Sequence, residues 1–395
     1  VIYITRKYLD MGENSSRANN YLFVFIEVFA CEGGIQSYVK DIFQAYSTFK
    51  EDIRGEVFLL RDTPNHDNPY ASERLKFHYF KSLWPQLGRT RMAMALLMHM
   101  LTQRPIHVFC GHVKLAPLVA MVCQPLKIPY TVITYGKEVW EPLTPVRKTS
   151  VQNAAGIWTI SRYTRQLACA VNQLDAVKFQ ILPPAINGDC LTPGNKSTAL
   201  LERYDLAGKK VLMTVARLWS GDIYKGVDVT IRALGQIAQI FPEVKYLVIG
   251  RGDDQPRLAK LAEDLGVSDR VIFAGFVPNS ELIDHYRLAD AYVMPSQEGF
   301  GIVYLEAMAC GIPVLSGNDD GSADPLQDGK LGWQVPHRDE NAVANACIEM
   351  LRGKDKRCDG KWIREQAIAQ FGIDGFNRRV CEAILVANNY SAMGK

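Results

Sequence analysis

The sequence predicts an α/β protein made of two doubly wound domains that face each other across a cleft. Three observations predict it. Short apolar runs alternate with helix-like stretches along most of the chain, the pattern of parallel sheets wrapped by helices. The rhythm stops in one window, where Pro183, Pro184, Asn187, Gly188, Pro193, Gly194 and Asn195 cluster, and then restarts. The 395 residues also suffice for two cores of ordinary size.

The first domain is placed at residues 20–190. Its opening strand is Tyr21 to Ile26, rich in aromatic and branched residues, followed by Gly33-Gly34 and a helix over Ile35 to Phe49. Further strands are read at Val57 to Leu60, Ile106 to Cys110, Tyr130 to Thr134, Ile157 to Ile160 and Phe179 to Leu182, with helices such as Arg91 to Thr102 and Leu115 to Cys123 between them. The second domain, 195–375, repeats the alternation. Strands fall at Val211 to Val215, Tyr246 to Ile249, Val271 to Ala274, Ala291 to Met294 and Pro313 to Leu315. Helices fall at Val229 to Ile240, Ser280 to Leu288 and Ile302 to Ala309. Residues 1–19 offer few core candidates and are read as a leader or appended segment. Ligands of such sheets bind at the carboxyl ends of the strands, so the expected site is the cleft.

Composition excludes several classes. The apolar share is 48%, the charged share 22% and the formal net charge +3, which fits a globular chain and gives no basic footprint for nucleic acid. Nine scattered cysteines without C-x-x-C spacing argue against a disulfide framework or structural zinc and suggest a reduced, cytoplasmic setting. No apolar run approaches the ~18 residues that cross a bilayer.

The most specific feature is the stretch Glu298 to Glu306, two carboxylates flanking Gly-Phe-Gly-Ile-Val-Tyr-Leu between a strand and a helix. Gly299 and Gly301 allow close backbone approach, and the amides near Gly301, Ile302 and Val303 would open a helix and receive an anion. Two acids at this spacing are commonly just solvated. Upstream, however, Arg217 ends a strand and Lys225 lies in Tyr-Lys-Gly-Val-Asp, both at the carboxyl edge of the second sheet. A forked guanidinium and a mobile ammonium suit a diphosphate. The bland reading is a pair of surface cations.

Taken together, residues of about 210 to 340 resemble the retaining glycosyltransferases of family 4, which have the two-domain GT-B fold. The resemblance rests on Val215-Ala216-Arg217, Lys225-Gly226, Gly250-Arg251-Gly252-Asp253, Phe273 to Val277, Ala289-Asp290-Ala291, Pro295-Ser296 and Glu298 to Gly311. The first domain matches more loosely, through Gly33-Gly34. The resemblance implies that Arg217 and Lys225 bind the donor diphosphate and stabilise it as it leaves, with Gly33, Gly34, Ile302 and Val303 around it. Glu306 would hold the ribose. Phe276, Val277 and Gly250 would meet the base. Glu298, Gly299, Phe300 and Gly301 would face the donor sugar. It also implies front-face attack by the acceptor, with the leaving phosphate taking a proton.

That chemistry fits the residues. Negative charge builds on the leaving oxygen, and fixed cations stabilise it best in a closed, dry cleft. No cofactor or metal is expected, since no carboxylate cluster of a magnesium-diphosphate site is visible. One departure concerns the first domain. Many relatives carry a His near the donor sugar; here Tyr135 stands at that place, a poor base that can still hydrogen-bond a sugar hydroxyl. His112, Lys137 and Glu138 are further cleft candidates, each with an ordinary structural role as its alternative. At Gly321-Ser-Ala-Asp324, Asp324 replaces a common Glu and is given a packing or capping job. Gly250 to Asp254 lacks the third glycine of a dinucleotide loop, since Gln255 occupies its place.

Arg74, Lys76, Lys81, Arg89, Arg91 and Arg104 interleave with Phe77, Tyr79, Phe80, Leu83 and Trp84. Such a surface suits anionic lipid at the inner face of a membrane, or else is a solvated helix with ordinary core contacts. The expected donor is a UDP-sugar carrying glucose, and the expected acceptor a surface polysaccharide or lipid-linked glycan. The rivals are a sugar-nucleotide epimerase of the same fold and a non-catalytic nucleotide-sugar-binding protein. The last segment, 376–395, is expected to return as a helix to the first domain.

Overall fold

A computed structural model describes residues 19–49 and 53–393; the leader reading of residues 1–19 falls almost wholly outside the described residues. The first domain runs β1 (Asn19–Phe25), α1 (Gly34–Ser47), β2 (Ile53–Leu59), β3 (Leu75–Tyr79), α2 (Pro85–Thr102), β4 (His107–Cys110), α3 (Ala116–Cys123), β5 (Tyr130–Thr134), α4 (Pro145–Gln152), β6 (Gly156–Thr159), α5 (Arg162–Asn172) and β7 (Phe179–Ile181). The second runs α6 (Thr198–Arg203), β8 (Lys210–Val215), α7 (Val227–Ile240), β9 (Val244–Ile249), α8 (Gln255–Asp264), β10 (Val271–Gly275), α9 (Asn279–Tyr286), β11 (Ala291–Met294), α10 (Ile302–Ala309), β12 (Val314–Gly317), β13 (Trp333–Val335), α11 (Glu340–Arg352) and α12 (Gly360–Phe371). The closing helix is α13 (Ile373–Met393).

Both sheets are parallel. Their strand orders are β3-β2-β1-β4-β5-β6-β7 and β10-β9-β8-β11-β12-β13. The central strands carry continuous apolar runs because helices cover both faces: Tyr21 to Val24, Val211 to Met213 and Ala291 to Val293 are wholly buried. Each order reverses once, between β1 and β4 and between β8 and β11. Chains leaving the carboxyl ends of those pairs diverge to opposite faces and open a crevice.

The two crevices face each other. Gly136, just after β5, lies so near Gly299, just after β11, that a Cβ on Gly136 would sit 3.7 Å from the Gly299 Cα. Below this contact the linker and the start of α13 cross between domains side by side: Ile186 pairs with Gly372, and its N–H donates to Phe371 O at 2.8 Å. α13 then packs on α1, where Phe376 meets Tyr38 edge-on at 5.7 Å.

One stretch departs from the sequence reading. The basic and aromatic run after Glu73 is not a single surface helix. Leu75–Tyr79 is the edge strand β3, whose Phe77 and Tyr79 pack against the core, and only Pro85 onward is helical. Leu75, Phe77 and Tyr79 alternate with Lys76 and His78 in the two-residue period of a half-buried strand, a signal that a reading by charge and aromatic content passes over.

Candidate active site in the cleft

The centre of the site is an ion pair between Lys225 and Glu298, which come from the two loops flanking the second crevice. Gly226 makes this pairing possible. It adopts φ +74, and a Cβ there would approach Pro295 O to 2.4 Å. Any other residue would push the loops apart. Gln297 N–H also donates to Tyr224 O at 3.1 Å, so the loops are tied on both sides of the pair. Asp320 ties the Glu298 loop from beneath: its carboxylate accepts from the N–H groups of Glu298 at 2.6 Å and Ser322 at 2.8 Å. Burial raises the Asp320 pKa to about 7 against the pull of those donors.

Arg217 leaves β8 beside this pair. Its guanidinium meets the buried Asp222 at 2.8 Å, and its side chain remains 74% exposed. Arg217 and Lys225 line one depression together with Asp222, Asp254 and Arg257. From the opposite domain, Lys137 reaches across the cleft and sets its Nζ 3.3 Å from the centre of the Tyr224 ring. Partial burial lowers the Lys137 pKa, while Asp222 and Glu298 act in the other direction. Arg217 and Lys225 from one domain and Lys137 from the other thus lie close together around Tyr224, Asp222 and Glu298.

Glu306 sits on α10, partly buried, and accepts from the Tyr286 hydroxyl at 2.7 Å. Burial raises its pKa. α10 begins at Ile302 and Val303, with Gly301 at φ +87 before it and no side-chain cap. Its first N–H groups are therefore available to an anion. Gly33 and Gly34 open α1 on the other side of the cleft, both exposed. A Cβ on Gly34 would meet nothing within 4 Å, and Gly33 has an ordinary extended φ of 167. Neither backbone conformation nor neighbouring backbone requires glycine there.

Phe276 is 58% exposed under the Arg251 guanidinium, whose centre lies 4.9 Å from the ring centre, while Val277 is buried. His112 follows β4. Its Nδ1 accepts from Lys114 N–H at 3.1 Å, and burial with the nearby Lys114 and Arg147 charges lowers its pKa to about 4, so it is neutral at pH 7.

Three expectations need correction, and a fourth residue, Gly250, has a structural reason of its own for being glycine. Tyr135 is buried and its hydroxyl donates to Gly111 O at 2.9 Å, so the side chain points into the first domain and only its backbone reaches the cleft. Phe300 is 2% exposed and packs edge-on against Phe371 at 5.7 Å, which makes it core and not a sugar contact. Glu138 folds back to accept from Tyr135 N–H and fixes its own turn. Gly250, at φ +132, makes room for Ala216 O, which a Cβ would approach to 1.8 Å; its missing side chain serves the chain itself.

Two contributors had no signal in the sequence. Asp62 accepts from the N–H groups of Val28, Phe29 and Ala30 at 2.6–2.8 Å and so holds the loop that leads to Gly33. Arg162 spans the cleft: its N–H donates to Asp324 at 2.7 Å and its guanidinium to Asp328 at 2.8 Å. Asp324 therefore does cap a helix, but across the domain boundary, at the start of α5.

Residues 202–362 match the family model described as "Glycosyl transferases group 1". The chain is 35% identical over 232 residues to a GDP-mannose-dependent alpha-(1-6)-phosphatidylinositol monomannoside mannosyltransferase of Mycolicibacterium smegmatis. That match covers 55% of the chain and 59% of the relative, so the chain spans about three fifths of it. It is 27% identical over 341 residues to a GDP-mannose-dependent monoacylated alpha-(1-6)-phosphatidylinositol monomannoside mannosyltransferase of Corynebacterium glutamicum, covering 81% of the chain and 85% of the relative. Among solved structures, Anabaena HepE in complex with UDP superposes with a TM-score of 0.75 at 18% identity, over 93% of this chain and 100% of the other. At that identity the likeness concerns the fold.

Proposed function

From the premise that residues 202–362 form a family 4, group 1 glycosyltransferase domain within a GT-B fold, we propose that the chain transfers mannose from GDP-mannose to a lipid-linked acceptor at the inner face of a membrane, with retention of configuration. One observation carries the reading: Arg217, Lys225 and, from the facing domain, Lys137 lie close together around the Lys225–Glu298 pair. Cations held in place before substrate arrives stabilise a departing diphosphate without reorganising. They also do the work a divalent metal would otherwise do, so the transfer is proposed to need none.

The donor follows the named relatives. The expectation of glucose from a UDP-sugar gives way to mannose from GDP-mannose, because the M. smegmatis and C. glutamicum proteins are both named for GDP-mannose. The acceptor follows the same names: an inositol glycolipid of the phosphatidylinositol mannoside class. Glu306 is assigned to the ribose, and the exposed Phe276 ring to the base. The first N–H groups of α10 and the open Gly34 receive the diphosphate.

The test is to incubate the protein with GDP-mannose or UDP-glucose, with and without a phosphatidylinositol mannoside, in EDTA, and to measure released nucleoside diphosphate. Acceptor-dependent release from GDP-mannose, with an α-linked product, is expected. Release of epimerised or free sugar without acceptor would identify an epimerase. Binding without release would identify a non-catalytic binder, and dependence on added metal would reject the cation-only site.

A further inference from the structure

Lys225 and Glu298 are steadied from a third connection. The chain between β13 and α11 runs Pro336-His337-Arg338-Asp339. Its two ends are fixed: Val335 O accepts from Asn318 N–H at 2.8 Å, and the Asp339 carboxylate caps α11 by accepting from Ala342 N–H at 2.9 Å. Between them Arg338 forks onto Asp228, with Nη1 donating to Oδ1 at 3.0 Å and Nη2 to Oδ2. The neighbouring His337 ring donates to Pro295 O. Asp228 lies three residues after Lys225, and Pro295 three residues before Glu298. One short connection thus grips both loops of the pair, and Pro295 O is the same atom for which Gly226 leaves room.

Two features set the Arg338 contact apart from an ordinary surface bridge. Asp228 is 2% exposed, so its carboxylate has left water and depends on the fork it accepts. Arg338 itself holds φ +66, the left-handed region that glycine enters freely and a side chain enters only with strain. The fork onto Asp228 has to offset that strain. Asp228 stands in the first turn of α7, whose capping residue, Gly226, directly follows Lys225. Holding Asp228 therefore fixes the direction in which the chain delivers Lys225. Among the described residues, Asp228 lines the depression shared by Arg217 and Lys225, whereas Arg338 and His337 do not. These two act on the site through the groups they hold.

We propose that Arg338 is a positioning residue for the transfer: through Asp228 it holds Lys225 at the place where the departing diphosphate needs an ammonium. The inference rests on the diphosphate assignment of Lys225 made above. The Lys225–Glu298 pair does not suffice for this task, because a donor that draws Lys225 off Glu298 breaks it. The Asp228–Arg338 pair stays intact at that moment and keeps the start of α7 in register. A cation misplaced by about 1 Å forfeits much of its effect on a transition state.

The experiment is a double-mutant cycle of Arg338→Gly and Lys225→Ala in the full chain. It is read by calorimetric binding of GDP and of UDP, and by transfer rate per nucleotide-binding site. Glycine suits φ +66, so Arg338→Gly removes the side chain without new backbone strain. It is expected to lower turnover about tenfold and to weaken diphosphate binding, with the acceptor KM unchanged. In the Lys225→Ala background the same substitution should change neither any further. Arg338→Lys should recover part of the loss. Asp228→Asn with Arg338→Gly leaves no lone buried charge; it should show the same loss and serves where the single variant does not fold. A lowered melting temperature with unchanged turnover per site would overturn the proposal. So would effects that add fully to those of Lys225→Ala. A parent that binds a nucleoside diphosphate but transfers nothing would reject the transfer reading, and the binding cycle would still decide this one. A parent that binds neither nucleotide would overturn both.

Discussion

Lys225 and Glu298 lie 73 residues apart and form a partly buried ion pair at the mouth of the second crevice. The pair holds the ammonium in place before any donor arrives. A donor diphosphate would compete with Glu298 for that ammonium and free the carboxylate to accept from sugar hydroxyls. Lys225→Ala is therefore expected to lower turnover by a factor on the order of 10²–10³, the usual loss for one strong charge stabiliser. Steady-state rates at saturating donor check it. Unchanged turnover would reject the diphosphate assignment.

Lys137 reaches the same cations from the first domain. It stands over the Tyr224 ring and close to Asp222 and Glu298. Its side chain is exposed, so its replacement should leave folding alone. Lys137→Met is expected to reduce kcat/KM for the donor about tenfold, in line with one charged hydrogen bond, with an unchanged melting temperature. Lys137→Arg should restore part of the loss. A large loss of activity together with a lowered melting temperature would mean that Lys137 mainly holds the domains together.

Phe300 and Tyr135 separate packing from substrate contact. Phe300 fills core beside Phe371, and the Tyr135 hydroxyl serves Gly111 O. Phe300→Ala should cost about 3–5 kcal/mol of stability, as for a buried aromatic cut to a methyl. Tyr135→Phe should cost about 1–3 kcal/mol, because it leaves a buried carbonyl unpaired. Both should keep the parent's turnover per folded molecule. Denaturant titration alongside kinetics decides; a stable Tyr135→Phe that lost turnover would return the hydroxyl to the reaction.

The alternating fold was legible because buried parallel strands need unbroken runs such as Tyr21 to Phe25 and Val211 to Val215. β3 was missed although Leu75, Phe77 and Tyr79 alternate with Lys76 and His78, because only five residues carry that period amid a basic run. Lys225 and Glu298 were found through local motifs, and only the fold shows that Gly226 against Pro295 brings them together. Tyr135 and Phe300 were misplaced for a common reason. Both follow the ends of strands, where the two-residue alternation stops and no longer tells which way a side chain points. Asp62 and Arg162 act on segments more than thirty residues away, and nothing local marks them.

Asp320 provides a test of the loop beneath Glu298. Burial raises its pKa to about 7 in the folded chain, from an ordinary 3.8, although Glu298 N–H and Ser322 N–H pull it down. The folded state then holds the Asp320 proton more tightly than the unfolded chain does. Between those two pKa values the native protein carries the extra proton, so this group's contribution to stability is complete below about pH 4 and falls as pH rises toward 7, by at most about 1.4 kcal/mol per pH unit. Asp320→Asn has no such proton to lose. The parent's melting temperature minus the variant's is therefore expected to be highest near pH 4 and to fall toward pH 8. A parent-minus-variant difference that rises with pH would show that the two N–H donors outweigh burial and favour the Asp320 carboxylate.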